Sequence, residues 1–212
     1  MKRLNLLKEF PHYYSSKEVP EFVDVEAAKF VSITAKGSFI DRIYYDRIEA
    51  LKLTVNAVKR FYEDSQQAFD IPPMEALYWY DEKKYGTISI SQLYESYPLS
   101  EIQYRLMFRV PEYVTAQDMV KAKKTVSEPY HELASHAEMF EYNEGRCVQM
   151  YHLGPFIYEG DTLRKLENFV DKNHLVKNGL HHEIYLVDFS KVKYQEGLRT
   201  ILREPVKQKG IL

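Results

Sequence analysis

Two stretches of the chain echo each other: ITAKGSFI at 33–40 and MYHLGPFI at 150–157. In each, a β-prone run reaches a glycine (Gly37 or Gly154) and continues as Phe-Ile (Phe39–Ile40 or Phe156–Ile157). A stretch of helical periodicity follows, and then a short β-prone segment holding a glutamate, MEALYW at 74–79 or HEIYLV at 182–187. The predicted order is therefore β-α-β-β, twice. Two copies are too few to stack as a solenoid. They are expected to join their sheets around a pseudo-twofold axis, giving an α+β fold. The expected arrangement is an antiparallel sheet with helices on one face and a ligand cleft on the other. Module one runs from about 21 to 111 and module two from about 112 to 206. Residues 1–20 form a lead-in and 207–212 a tail.

The helical segments are legible from their spacing. From Asp41, a plausible N-cap, Ile43, Ile48, Leu51, Val55, Val58 and Tyr62 recur on one face. Leu163, Leu166, Phe169 and Val170 form a second stripe. Thr115 followed by Asp118 suits the start of a short helix. Strands are expected over 24–39, 72–82, 101–110, 146–154, 181–188 and 196–206, several of them closed by glycine or proline.

Strand alternation sorts HHEIYLVD into His181, Glu183, Tyr185 and Val187 on one face and His182, Ile184 and Leu186 on the other. The Ile184–Leu186 face is the natural one to pack against helices, which directs Glu183 and Tyr185 to the cleft. Aligning the repeats sets Glu75 against Glu183, Leu77 against Tyr185 and Trp79 against Val187. On that reading two carboxylates and two aromatics share one cavity. The alternative is that both glutamates are solvated on an exposed sheet face.

Composition favours an aromatic cavity, with 18 tyrosines and 11 phenylalanines beside one tryptophan. Tyr44, Tyr151 and Phe156 are candidate rim residues, and Met107 has the parity to add an adaptable wall. A carboxylate among aromatics suits two uses. It can offset the charge of a flat cation stacked on the rings. It can also serve as a general base that activates water against an electrophile, with Tyr185 donating a proton to the developing oxyanion.

Other classes are disfavoured. A net charge of -2 gives no basic footprint for nucleic acid. The apolar runs are too short to span a bilayer, and the opening MKRLNLLKEF lacks a signal-peptide pattern. A single cysteine, Cys147, suits a reducing cytoplasm and reads as a small strand hydrophobe. No metal site is expected: His131 and His136 in HELASH are five apart, where one helical face needs four, and His181 and His182 point to opposite faces. No cofactor is expected, because no glycine-rich phosphate loop, G-x-S-x-G elbow or CxxC occurs.

The segments EGRCVQMYHLGPFIYEGDTLRKLENFV, GLHHEIYLVD and LRTILREPV, with MEALYWYDE and MFRVPEYV upstream, resemble the GyrI-like small-molecule-binding family. The resemblance runs from about Pro20 to Val206. It implies the fold of the effector-binding domain of multidrug-sensing transcription activators, two β-α-β-β modules around a cleft. It also implies binding of bulky aromatic, often cationic, compounds, with Glu183 at the centre. A stand-alone subfamily hydrolyses the strained cyclopropane of DNA-alkylating natural products, so the resemblance carries that activity as the alternative. Members of that kind tend to read LEGLWW where this chain has MEALYWY, keeping Glu75 and Trp79 and placing Tyr78 at one tryptophan. No helix-turn-helix with a basic face precedes the segment.

Overall fold

The β-prone segments assemble into one antiparallel sheet whose central pair holds the two glutamate strands. The computed structural model describes residues 3–86, 90–92 and 97–210; the last two residues of the expected tail lie outside them. In chain order the elements begin β1 (Leu4–Asn5), α1 (Leu6–Glu9), β2 (Glu21–Val25), β3 (Ala28–Lys36), α2 (Arg42–Arg60) and β4 (Phe69–Asp70). Next come β5 (Glu75–Trp79), α3 (Glu82–Tyr85), β6 (Gln103–Val110), α4 (Ala116–Lys123) and α5 (His131–Ser135). The chain ends with β7 (Glu138–Tyr142), β8 (Gly145–Leu153), α6 (Glu159–Lys172), β9 (Leu175–Lys177), β10 (His181–Tyr185) and β11 (Arg199–Gln208).

Among the described residues the main sheet has nine strands, in the order β2-β8-β11-β10-β5-β6-β3-β7, with β9 beside β11. β1 and β4 form a separate parallel pair. The order β8-β11-β10 followed by β5-β6-β3 reads the same outward from the centre. At both repeat glycines the backbone takes a positive φ, 140° at Gly37 and 103° at Gly154, a region a side chain would disfavour. Their amides bond at corresponding places, Gly37 to the Ile102 carbonyl (2.9 Å) and Gly154 to the Leu198 carbonyl (3.0 Å).

Helices α2, α4, α5 and α6 cover one face of the sheet. Ile48, Leu51, Val55, Leu163 and Leu166 pack there against Val31, Ile33, Tyr104, Leu106 and Leu202. The expected capping box is present: the Thr115 side chain accepts from the Asp118 amide, and the Asp118 carboxylate accepts from the Thr115 amide at 2.9 Å. Asp41 stands at the N-cap of α2 but makes no side-chain cap bond.

Three features depart from the expectation. The stretch expected as one strand over 24–39 is two strands, β2 and β3, on distant parts of the sheet. β7, which pairs with β3, was not anticipated, because Glu138–Tyr142 lacks a clean apolar alternation. The lead-in is part of the core: Leu6, Tyr13 and Tyr14 pack with Ile184, Ile201 and Cys147 on the face opposite the helices.

Candidate functional site

β10 is buried on both faces, so each of its side chains enters one of two interiors. The pairing register decides which. Glu183 stands beside Ala76, His181 beside Tyr78, and Ile184 beside Glu75. Cross-strand partners share a face, so Glu183 and Glu75 lie on opposite faces of the sheet. The alignment that matched the two glutamates is one residue out of step with the pairing, and one step reverses the face. Glu75, Leu77, Trp79 and Met107 therefore point away from the helices, as does Tyr151, which pairs with Ile201.

Glu183 and Tyr185 face the helices. A cavity of about 270 Å³ opens there between the start of α2 and the start of α6. The cleft is thus on the helix-covered face, rather than the opposite one. Tyr44, Phe156, Glu183 and Tyr185 line it as expected; Tyr78, Glu159, Phe39, Tyr45 and Phe189 join them. The mouth is apolar, with Tyr45 44% and Ile157 80% exposed. Phe156, Tyr185 and Phe189 meet edge to face, with centroids 4.9–5.9 Å apart.

Three tyrosine hydroxyls lead to Glu183. Tyr44 and Tyr78 are 2.7 Å apart, Tyr78 and Tyr185 are 2.8 Å apart, and Tyr185 donates to Glu183 Oε2 at 2.7 Å. A hydroxyl has one proton to give. Since Tyr185 gives its own to the carboxylate, it accepts from Tyr78, which in turn accepts from Tyr44. The chain of donors points inward. Burial first, then the Glu183 charge, pushes the Tyr185 phenol well above its ordinary value, so it remains a donor.

On its other oxygen Glu183 meets His181 Nε2 at 3.1 Å, while His181 Nδ1 bonds Glu204. Both ring nitrogens face carboxylates, which requires both to carry protons. Burial alone would lower the His181 pKa, but the charges and hydrogen bonds of Glu204 and Glu183 outweigh it and raise it to about 10. The imidazolium on one oxygen and the Tyr185 hydroxyl on the other supply Glu183 with the donors that offset its burial at 3% exposure.

Glu159, at the first turn of α6, is equally buried at 3%, and its Oε1 has no hydrogen-bond partner. Burial, then the nearby Glu183 charge, raises its pKa well above the usual carboxyl range. The cavity accordingly holds two buried carboxyl groups, and burial and the Glu183 charge favour the protonated form of Glu159. Two like groups pushed to different protonation states are the arrangement that supplies a base and an acid together. Nothing in local sequence marks Glu159, because its role depends on which helix end reaches Glu183.

On the opposite face lies a second polar cluster. Glu75 accepts from Tyr13 (2.5 Å) and Tyr14 (3.2 Å) and meets His182 Nε2 at 3.0 Å. His182 also bonds Glu144 at 2.9 Å, which Arg203 reaches at 3.0 Å. Arg203 further donates to Gln149 and to the Tyr13 carbonyl. Burial works against it, but the His182 and Arg203 charges hold Glu144 down at about 2. This cluster secures the lead-in to the back of the sheet.

No protein-family model matches the chain, and no curated protein matches it. Solved structures do. A structure described as a hydrolase from Listeria innocua is 25% identical with a TM-score of 0.79, the match covering 97% of this chain and 100% of that one. An uncharacterized conserved protein from Listeria innocua is 26% identical with a TM-score of 0.83, over the same shares of the two chains. The EcmrR C-terminal domain matches at 12% identity and a TM-score of 0.54, covering 90% of this chain and 98% of that one, and shares the fold alone. No helix among the described residues is long and apolar enough to cross a membrane.

Proposed function

We propose that this chain is a GyrI-like small-molecule hydrolase that takes a flat aromatic compound into the Glu183 cavity and adds water to a strained, electrophilic ring on it. The observation that carries the reading is the pair of buried carboxyl groups, Glu183 and Glu159, in one aromatic cavity, with burial and the Glu183 charge raising the Glu159 pKa. The description of a full-length structural relative as a hydrolase supports it.

The chemistry follows from the two protonation states. For a cyclopropane conjugated to a carbonyl ring, Glu183 accepts a proton from water as the water oxygen bonds to a cyclopropane carbon. The carbon–carbon bond breaks, and its electron pair flows into the ring, which becomes aromatic. Glu159 delivers its proton to the former carbonyl oxygen. Exchange with solvent then returns both glutamates to their starting states. Tyr185, proposed from sequence as the proton donor, is committed to Glu183 and serves to orient the base. Glu159 takes the donor's role.

A second reading, non-catalytic binding of aromatic cations, is favoured by the aromatic lining around Glu183. The Glu183 carboxyl group lies among the rings of Tyr44, Tyr78, Phe156 and Phe189, where a flat cation can stack. Both readings place the protein in the cytoplasm, with hydrophobic aromatic compounds as its partners. Incubation with a cyclopropane-bearing alkylating compound, following loss of its chromophore, separates the two. Acceleration over buffer is expected. Protection of the compound without turnover would replace hydrolysis with sequestration.

A further inference from the structure

The Glu183 cavity is small. At about 270 Å³ it falls just below the roughly 300–1,000 Å³ of sites that enclose drug-sized ligands. A ligand larger than a few fused rings must extend beyond it. The space next to it is a second cavity of about 400 Å³ on the same side of α2, walled by Leu7, Ile48, Pro72, Pro73, Met74 and Phe108. Tyr185 and Phe189 line both cavities, their centroids 4.9 Å apart, and form the partition between them.

We propose that the two cavities are chambers of one site, and that the second receives an uncharged apolar arm, alkyl or aryl, carried by the ligand whose reactive ring lies at Glu183. This rests on the aromatic-ligand reading of the first chamber and names what else that ligand must carry.

The polar groups of the second chamber decide the character of the arm. Lys52 Nζ contacts Glu49 (3.1 Å), Asp188 (3.3 Å) and Ser190 Oγ (3.0 Å), matching its three donors. Asp188 also accepts from the Ser190 amide (3.1 Å) and hydroxyl (2.5 Å). Asn5 Oδ1 accepts from the Lys8 amide as the cap of α1. These charges are answered within the protein, so a ligand charge placed here would find no counter-ion and would lose its hydration. The remaining surface is aliphatic, proline and aromatic. The same Lys52–Asp188–Ser190 clasp holds the segment after β10 that carries Phe189, which is only partly buried. Phe189 thus stands where the width of the passage between chambers is set.

The test uses two dyes with one chromophore and one charge, acridine orange and 10-nonyl acridine orange, titrated by fluorescence. The nonyl dye is expected to bind the wild type at least tenfold more tightly. Leu7→Trp fills the outer end of the second chamber from a position already 37% exposed. It should remove most of that advantage while leaving acridine orange within twofold. Ile71→Trp, elsewhere on the same wall, repeats the test if Leu7→Trp lowers the melting temperature. Equal affinity of the two dyes for the wild type, or an undiminished nonyl advantage in both variants, overturns the second chamber and leaves the first reading standing. Failure of both dyes to bind removes the aromatic-ligand reading and the proposal with it.

Discussion

Replacing Glu159 by glutamine tests the protonation state on which the mechanism depends. Glutamine matches the carboxylic acid in shape and, like it, carries no charge. Above the ordinary carboxyl value of 4.5, the unfolded wild type loses the proton of residue 159 while the folded protein keeps it, because burial and the Glu183 charge raise its pKa. The folded state then holds one proton more than the unfolded state, so stability falls as pH rises, by up to about 1.4 kcal/mol per unit. Glu159→Gln lacks that proton in both states and escapes the fall. The stability of the variant relative to wild type should therefore climb from pH 5 to pH 7, by at most about 3 kcal/mol. Every other titration, including that of His181, is common to both proteins and largely cancels in the difference. Urea unfolding at half-unit pH steps, read by tyrosine and tryptophan fluorescence, gives the curve. Its plateau would mark the pH at which folded Glu159 ionises. A difference that stays flat across this range would mean that Glu159 is already ionised at pH 5, and the general-acid assignment would fail.

Three further outcomes are expected. Tyr78→Phe removes the middle hydroxyl between Tyr44 and Tyr185 and should cost about 1–3 kcal/mol in urea unfolding, with a fall in kcat larger than any change in KM. Arg203→Met leaves the buried Glu144 with His182 alone and should cost about 3–5 kcal/mol, with faster proteolysis near Tyr13 as the lead-in detaches. The His181 pKa rises on folding from 6.5 to about 10, so the stability its proton confers is complete below about pH 6.5 and is lost as pH rises through about 10. His181→Gln, followed by melting temperature from pH 6 to pH 10, should show a deficit that shrinks as pH rises.

Much of the architecture could be read from local pattern. The two glycine turns, the α6 stripe, the Thr115–Asp118 box and the middle of the α2 stripe depend on neighbours a few residues away and stand where expected. Ile43, at the start of the α2 stripe, is exposed, and Tyr62 lies past the helix end. Alternation also separated His181, Glu183 and Tyr185 from His182 and Ile184 correctly. What it could not supply was the register between β5 and β10, which depends on contacts between residues more than a hundred positions apart. A one-residue error there put Glu75, Leu77 and Trp79 on the wrong face of the sheet and left Tyr78 out of the cavity, and Met107, which pairs with Glu75, shares their face. The choice of helix face failed for a related reason. Ile184 looked like the residue to bury against helices, but Leu6, Tyr13 and Tyr14 of the lead-in cover it instead. The helix side was free to hold a polar strand face because His181 and the tyrosines satisfy Glu183 there.

The most direct test of water addition at Glu183 is product mass after turnover of a cyclopropane-bearing compound in ¹⁸O-labelled water. One labelled oxygen is expected in the ring-opened product from wild type, and little product from Glu183→Gln in the same time. Unlabelled product, compound attached to the protein, or equal turnover by Glu183→Gln would contradict it.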